Sequence, residues 1–502
     1  MPDQITLQEK SGAEFVVQRR LVLAASMSAI FMAAVEGTIV ATAMPTIVGE
    51  LGGFRLFSWV FAAYLLTQAV TIPIYGRLAD LYGRKGVFFV GAGVFLIGST
   101  LSGFAPSMVM LVAFRALQGL GAGAILPIAT TIVGDIYTPA ERARIQGYLS
   151  SVWGISSVIG PVLGAFLVQQ VSWRVVFWIN LPIGAVAITL IALFLHQRPE
   201  PRQHKIDYLG SILLMIGAGA LMLVLVQGEN LAPAAIAWLV GFAIVALVAL
   251  LVHERRADEP MLPLDLWRHR IIAVSNCGGF VIGALIMGVT AFLPTYVQGV
   301  LGRTPMVAGF VLTAMSVTWT FASIASGRLM VHTTYRLTAA IGACGLVAGS
   351  VLLVLLLPPR GALWASGGAL LIGAGMGFCN TTFLVAVQTS VGFGARGAAT
   401  SSNIFMRNVG QAVGTALFGA VLNFDLFRDL PGGEQAVSRL MDPTLRQAIP
   451  PLEIARLSAA VAEALHDVYL IAGLLALLAL LLIPCLPKSA SPIQSAPPGQ
   501  TH

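Results

Sequence analysis

Glu36 is the one acidic residue that falls well inside a long apolar stretch of this chain. An ionisable side chain at such depth costs at least ~2.5 to 3.5 kcal/mol on insertion scales, so it implies a partner, a wet cavity or a function. Its stretch begins near residue 21, and about fifteen residues of helical rise put the carboxyl roughly 22 Å from that membrane face. Arg115 lies in a stretch of the opposite direction, and about eight residues of rise bring it to roughly 18 Å from the same face. The matching depths predict that Glu36 and Arg115 face one central cavity, in contact directly or through water. Burial disfavours a charged carboxylate and a guanidinium favours it, so the competition can poise an acid to load and release a proton. The same two residues also fit a static buried ion pair that fixes helix packing.

Arg407 is the other basic residue inside an apolar stretch, about seven residues from its start and near enough to the boundary to snorkel. It fits either a helix-packing or gate contact, or a site for an acidic lipid or substrate group. Trp59, Tyr64, Gln68, Trp153, Asn276, Tyr296, Gln298, Asn380 and Asn403 place aromatic and amide groups inside apolar stretches, as do Trp319, Phe378 and Gln388. These are candidates to line a cavity. An apolar cavity with one carboxylate and several aromatic faces suits lipophilic molecules, cationic ones included.

Other chemistries are poorly provided for. The four cysteines have no metal-ligand spacing, and the seven histidines sit in loops, near their edges or at the end of the tail. Neither a metal site nor a membrane enzyme is expected. The chain has no phosphate-cradling Gly-Lys loop, so no nucleotide or other cofactor is expected and the energy source is an ion gradient. One elementary charge crossing 100 mV supplies about 2.3 kcal/mol.

The elements that must position these residues are membrane helices. Of 502 residues, 57% are hydrophobic and 10% charged, a composition that calls for lipid as solvent. Stretches of about 20 apolar residues suffice to cross a bilayer core. Fourteen appear, at 21–45, 56–76, 86–105, 108–134, 146–168, 175–195, 208–227, 233–252, 272–300, 305–329, 337–357, 362–388, 400–424 and 467–486. Sorting the 29 Lys and Arg residues by side gives nineteen on the side of the N terminus, eight opposite and two within spans. The positive-inside rule makes the richer side cytoplasmic, with both termini there. The net charge of +7 is thus explained by topology, and no nucleic-acid partner is expected. The first twenty residues are polar and no short core with a cleavage site follows, so the first span is expected to act as its own insertion signal.

The expected organisation is an all-α polytopic membrane protein of 6 + 2 + 6 helices. Residues 1–20 form a cytoplasmic segment, 21–195 a six-helix half, 196–270 a two-helix connector with its loops, and 271–486 a second six-helix half. That half includes an extracytoplasmic segment at 425–466, where Leu452 to Leu465 are spaced as a short amphipathic helix. The tail 487–502, rich in Ser and Pro, is expected to be disordered. Gly76-Arg77-Leu78 and Gly327-Arg328-Leu329 close the second and tenth spans, a weak internal repeat of the kind transporter halves show.

Several stretches resemble the major facilitator superfamily. GRLADLYGRK at 76–85 resembles its signature loop, RALQGLGAG at 115–123 the fourth-helix motif of proton-coupled members, and GPVLGA at 160–165 the fifth-helix motif of antiporters. VEGTIVATAMP at 35–45, SWRVVFWINLPIG at 172–184, FLPTYVQGVLG at 292–302 and RNVGQAVGTA at 407–416 are similar to the fourteen-span drug:proton antiporter branch, the EmrB/QacA-like exporters. That branch usually has Asp where this chain has Glu36 and Asn where it has Ala41, and the fifth-helix motif here ends Gly164-Ala165 rather than in paired glycines.

The resemblance implies alternating access driven by proton exchange. It makes Gly76, Arg77, Asp80, Gly83, Arg84 and Lys85 a cytoplasmic latch, with Asp135 the expected partner of Arg84; the bland alternative is a solvated charged loop. It makes Gly160, Pro161 and Gly164 an antiporter hinge or proton-tight seal. The partners it implies are protons, the lipid bilayer and a small amphipathic substrate, with a periplasmic adaptor protein as a further candidate. The implied role is export of lipophilic drugs, cationic ones included, across the cytoplasmic membrane of a bacterium. A lipid, a siderophore or a secreted metabolite remains open as cargo.

Overall fold

The computed structural model describes residues 2–137, 139–195, 207–227, 231–257, 265–357, 360–391, 396–430, 433–442 and 445–487. Among these residues, fourteen helices are long and apolar enough to cross a membrane. They are α1 (Pro2–Leu51), α2 (Phe57–Tyr82), α3 (Arg84–Gly103), α4 (Met108–Ile136), α5 (Pro139–Gln170), α6 (Asn180–Phe194, preceded by a helical turn Val175–Trp178), α7 (Tyr208–Gln227) and α8 (Pro233–Glu254). The second half of the chain gives α9 (Arg270–Thr290), α10 (Pro305–His332), α11 (Tyr335–Val354), α12 (Gly361–Ser390), α13 (Arg396–Asp429) and α14 (Pro451–Leu482). With no water to satisfy backbone polar groups in hydrocarbon, continuous helix is the form such stretches take.

Two of the helices break where proline removes a donor. Pro182 cannot donate to the carbonyl of Trp178, and Pro294 cannot donate to that of Thr290. The turn before α6 ends at Trp178 and α9 ends at Thr290. The ninth span then continues as a short turn and a π-helical turn, Tyr296–Val300.

Helices α1–α6 and α9–α14 pack alike. In the first set α1 lies on α5, α2 on α4 and α3 on α4; in the second α9 lies on α13, α10 on α12 and α11 on α12. The sets meet along two seams, α2 against α13 and α5 against α10. Connector helices α7 and α8 pack on each other, and α7 also touches α2 and α13, so the connector flanks one seam only. With an even number of crossings the described ends of α1 and α14 lie on one face, called the terminal face below; the other is the opposite face.

Helix α1 begins at Pro2, ahead of its membrane-crossing part from Gln18; one expectation is corrected. Leu452 to Leu465 do not form a short separate helix. They open α14, which runs unbroken from Pro451 into the final crossing, since no Gly or Pro intervenes before Gly473. Among the described residues between α13 and α14 there remains one short helix, Glu434–Met441, and a single turn, Leu445–Ala448. The tail 488–502 lies outside the described residues.

Candidate functional site

Glu36 and Arg115 are joined, and both are buried, at 0% and 2% exposure. One guanidinium nitrogen of Arg115, Nη1, donates to Glu36 Oε1 and, at 2.7 Å, to Gln118 Oε1. Arg115 Nε donates to the Val60 carbonyl at 3.2 Å, and the guanidinium carbon lies 4.2 Å from the centre of the Tyr64 ring. The second carboxylate oxygen, Glu36 Oε2, accepts from Asn180 Nδ2 at 2.7 Å. Asn180 also donates to Ser99 Oγ at 3.0 Å, and Ser99 donates to the Phe177 carbonyl. Donors from α4 and α6 therefore reach both oxygens of the carboxylate, and α2 and α3 hold those donors in turn.

The described partners of the pair all belong to the first set, on α1, α2, α3, α4 and α6. In a low dielectric a charge persists where a full shell of donors and a counter-charge surround it, and that set supplies both. Tyr64, a candidate cavity residue, is likewise buried against Arg115. One residue away, Gly37 is exposed, and a Cβ built on it meets nothing within 4 Å. Asn180 was visible in the sequence only as part of a quoted motif. An amide in an apolar stretch two residues before a proline is the signal that could have singled it out.

Toward the opposite face the two sets are sealed together. Gln298 Nε2 donates to the Thr42 carbonyl at 3.2 Å, and Asn423 Nδ2 to that of Arg55 at 3.1 Å. A Cβ on Gly49 would lie 2.8 Å from Asp442, and Arg55 meets Glu434 at 3.9 Å. Phe57 stacks near Phe292 at 5.3 Å between ring centres, and Phe292 near Phe418 at 6.2 Å. Arg446, in the turn before α14, donates to the carbonyls of Gln298 and Gly299, which the π-helical turn turns away from regular helix bonding. Burial lowers the pKa of that guanidinium from its ordinary value.

The second set carries its own polar cluster. Asn403 Nδ2 donates to Asn276 Oδ1 at 3.2 Å and to the Ser275 carbonyl, and Asn276 donates to Ser402 Oγ. Asn276, Asn403 and Tyr296, whose hydroxyl donates to the Leu356 carbonyl, are buried inside the set. Amides and hydroxyls inside spans take internal partners because lipid offers none. Gln298 belongs to the opposite-face seal. Trp59, Gln68 and Asn380 are half-buried, while Trp153 stays 42% exposed. Arg407, half-buried, donates from Nη1 to Asn380 Oδ1 at 3.0 Å.

The sequence profile described as Major Facilitator Superfamily matches residues 26–415. The chain belongs to the major facilitator superfamily. It is 34% identical over 486 residues to multidrug resistance protein 3 of Bacillus subtilis, a match covering 93% of this chain and 94% of that one. Multidrug transporter protein MdtP of the same organism is 35% identical over 413 residues, or 81% and 76% of the two chains. In fold, the chain matches a crystal structure of a bacterial Spinster homologue with a TM-score of 0.68 at 16% identity, covering 93% and 96% of the respective chains.

The stretches that carried the superfamily resemblance fall where close packing needs them. Gly83 joins α2 to α3 with φ 85°, a conformation that disfavours any side chain. Arg84 donates to the Thr131 carbonyl of α4, and Lys85 to the Ala192 and Leu195 carbonyls at the end of α6. The side chains of Arg77, Asp80 and Asp135 lie outside the described residues. On α5, a Cβ at Gly160 would lie 2.1 Å from Thr38 Oγ1, and one at Gly164 2.4 Å from Thr42 Oγ1. Pro161 leaves α5 unbroken, and its carbonyl faces Gly309 of α10. The counterpart on α13 is Gly410 and Gly414, whose Cβ positions would meet the Phe280 carbonyl and Ala284 of α9. This repeat was missed in the sequence, although both Gly-xxx-Gly pairs stand in the quoted motifs.

Proposed function

We propose that this chain is a proton-coupled antiporter that exports lipophilic compounds across the cytoplasmic membrane by alternating access, with its terminal face cytoplasmic. The observation that carries the reading is Glu36, sealed among Arg115, Asn180 and Ser99 yet one helical residue, about 100° of rotation, from the open space beside Gly37. The names of the Bacillus relatives support drugs as cargo. The opposite-face seal supports alternation, because a transporter holds one side closed while the other is open.

In this reading a proton arrives from the opposite face when the seal parts, and it neutralises Glu36. Arg115 then loses its counter-charge but keeps the Val60 carbonyl, Gln118 Oε1 and the Tyr64 face, so the guanidinium stays housed while the carboxyl turns toward the cavity. Closure of the opposite face returns the carboxyl to Arg115 and Asn180, which displace the proton toward the cytoplasm. Cargo moves outward on the alternate stroke. Gly160 and Gly164 hold α5 against α1 closely enough to keep water from bypassing the carboxyl.

The test is uptake into inverted vesicles reconstituted with the full chain, over a panel of lipophilic cations, neutral drugs and fatty acids, under an imposed proton gradient. Concentrative uptake of at least one panel member, collapsing when a protonophore dissipates the gradient, is expected. Uptake that is indifferent to the protonophore, or absent for every compound, contradicts the reading.

A further inference from the structure

Glu36 is withdrawn into its helix set, whereas Arg407 is half-buried in the other. Among the described residues its polar contact is the neutral Asn380 Oδ1 at 3.0 Å, and its Nε is buried without a partner. A guanidinium has five donors and no acceptor, and in a span an uncompensated one is far costlier than a paired one.

Arg407 lies between the faces of α13 that meet α9 and α2, and its guanidinium reaches α12. On α13, Gly410 packs on α9 while Gly419 meets Ser58 of α2, and these directions are about 180° apart at 100° per residue. Arg407 projects about 60° from Gly410, between the two, with its guanidinium reaching α12. Matching Gly410 and Gly414 to Gly160 and Gly164 places Ser157 of α5 opposite Arg407 in the repeat. The second set thus puts a cation where the first has a small neutral residue, and Phe378, Met406 and Val409 flank the two polar groups in sequence with apolar surface.

We propose that Arg407 and Asn380 form a binding site for the anionic head group, sulfonate, carboxylate or phosphate, of an amphipath in the central cavity. The guanidinium supplies the charge-assisted donors and the Asn380 amide a further donor once its oxygen is released. This deepens the export reading by naming a cargo class, and rests on it only for the outward movement of that cargo.

The full chain is placed in phosphatidylcholine nanodiscs, and equilibrium binding of decanesulfonate, decanamide and decyltrimethylammonium is measured without any gradient. The sulfonate is expected to bind at least about tenfold more tightly than the amide, the range of a charge-assisted hydrogen bond. Arg407→Gln removes that preference while leaving decanamide binding in place, and Arg407→Lys keeps part of it. Displacement of the sulfonate by added phosphatidylglycerol identifies an acidic lipid as the natural occupant; no displacement, with gradient-driven uptake of the sulfonate, identifies cargo. Equal binding of all three probes by the wild type, or equal loss of all three in Arg407→Gln, overturns the site. Should Arg407→Gln fail to fold, Arg407→Lys decides, and a sulfonate preference equal to that of the wild type in that variant overturns the site. Because binding is read without a gradient, a failure of export leaves this result standing.

Discussion

Arg115→Met is expected to reduce proton-driven transport by at least about 100-fold and to lower the melting temperature in detergent. Removing one partner of a buried ion pair typically costs about 3 to 5 kcal/mol, because the other charge is left behind. Here the carboxylate left behind keeps only Asn180 as a donor. The double variant Glu36→Gln/Arg115→Met removes both charges and is expected to regain most of the lost stability, since the coupling between contacting residues is not additive. It should regain no transport. Thermal unfolding and vesicle uptake on the three variants check both halves; recovered uptake in the double variant contradicts the assignment of the pair to energy coupling and leaves it a packing device.

A disulfide across the opposite-face seal is the second large effect. In a cysteine-free background, Gly49→Cys with Asp442→Cys places two thiols on backbones whose Cβ positions are near contact, 2.8 Å apart, somewhat inside the usual disulfide spacing and open to adjustment at the end of the short outer helix. Oxidation is expected to abolish transport and reduction to restore it. Decanesulfonate binding from the terminal face should survive oxidation. Full activity of the oxidised protein, with cross-linking verified by mass, contradicts the requirement that this seal open in each cycle.

Hydropathy made the number of crossings legible, because the cost of exposing backbone or charge to lipid acts on every residue of a span. Depth was legible as well: counting rise along two antiparallel stretches brought Glu36 and Arg115 to the same level, and the side chains meet. Direction was not. Helical rise fixes how deep a residue lies but not which neighbour it faces, and that choice depended on the donors offered by Asn180 and Gln118 from two other helices.

Candidate cavity residues divided for a related reason. Residue type marks Asn276, Tyr296 and Asn403 as polar within spans, but each finds partners inside its own helix set, which no count along the chain reveals. The charged start of α14, with Glu453, Arg456, Glu463 and Asp467, hid its continuity with the last crossing. Those charges set where the membrane stops, whereas the helix continues until a backbone breaker ends it.

Proton release on cargo binding tests the central claim most directly. The purified chain in weakly buffered detergent, given a compound shown to be transported, is expected to release protons into a pH-sensitive dye signal in the wild type and none in Glu36→Gln, while the variant still binds the compound. Proton release undiminished in Glu36→Gln would place the exchanging group elsewhere and contradict the account.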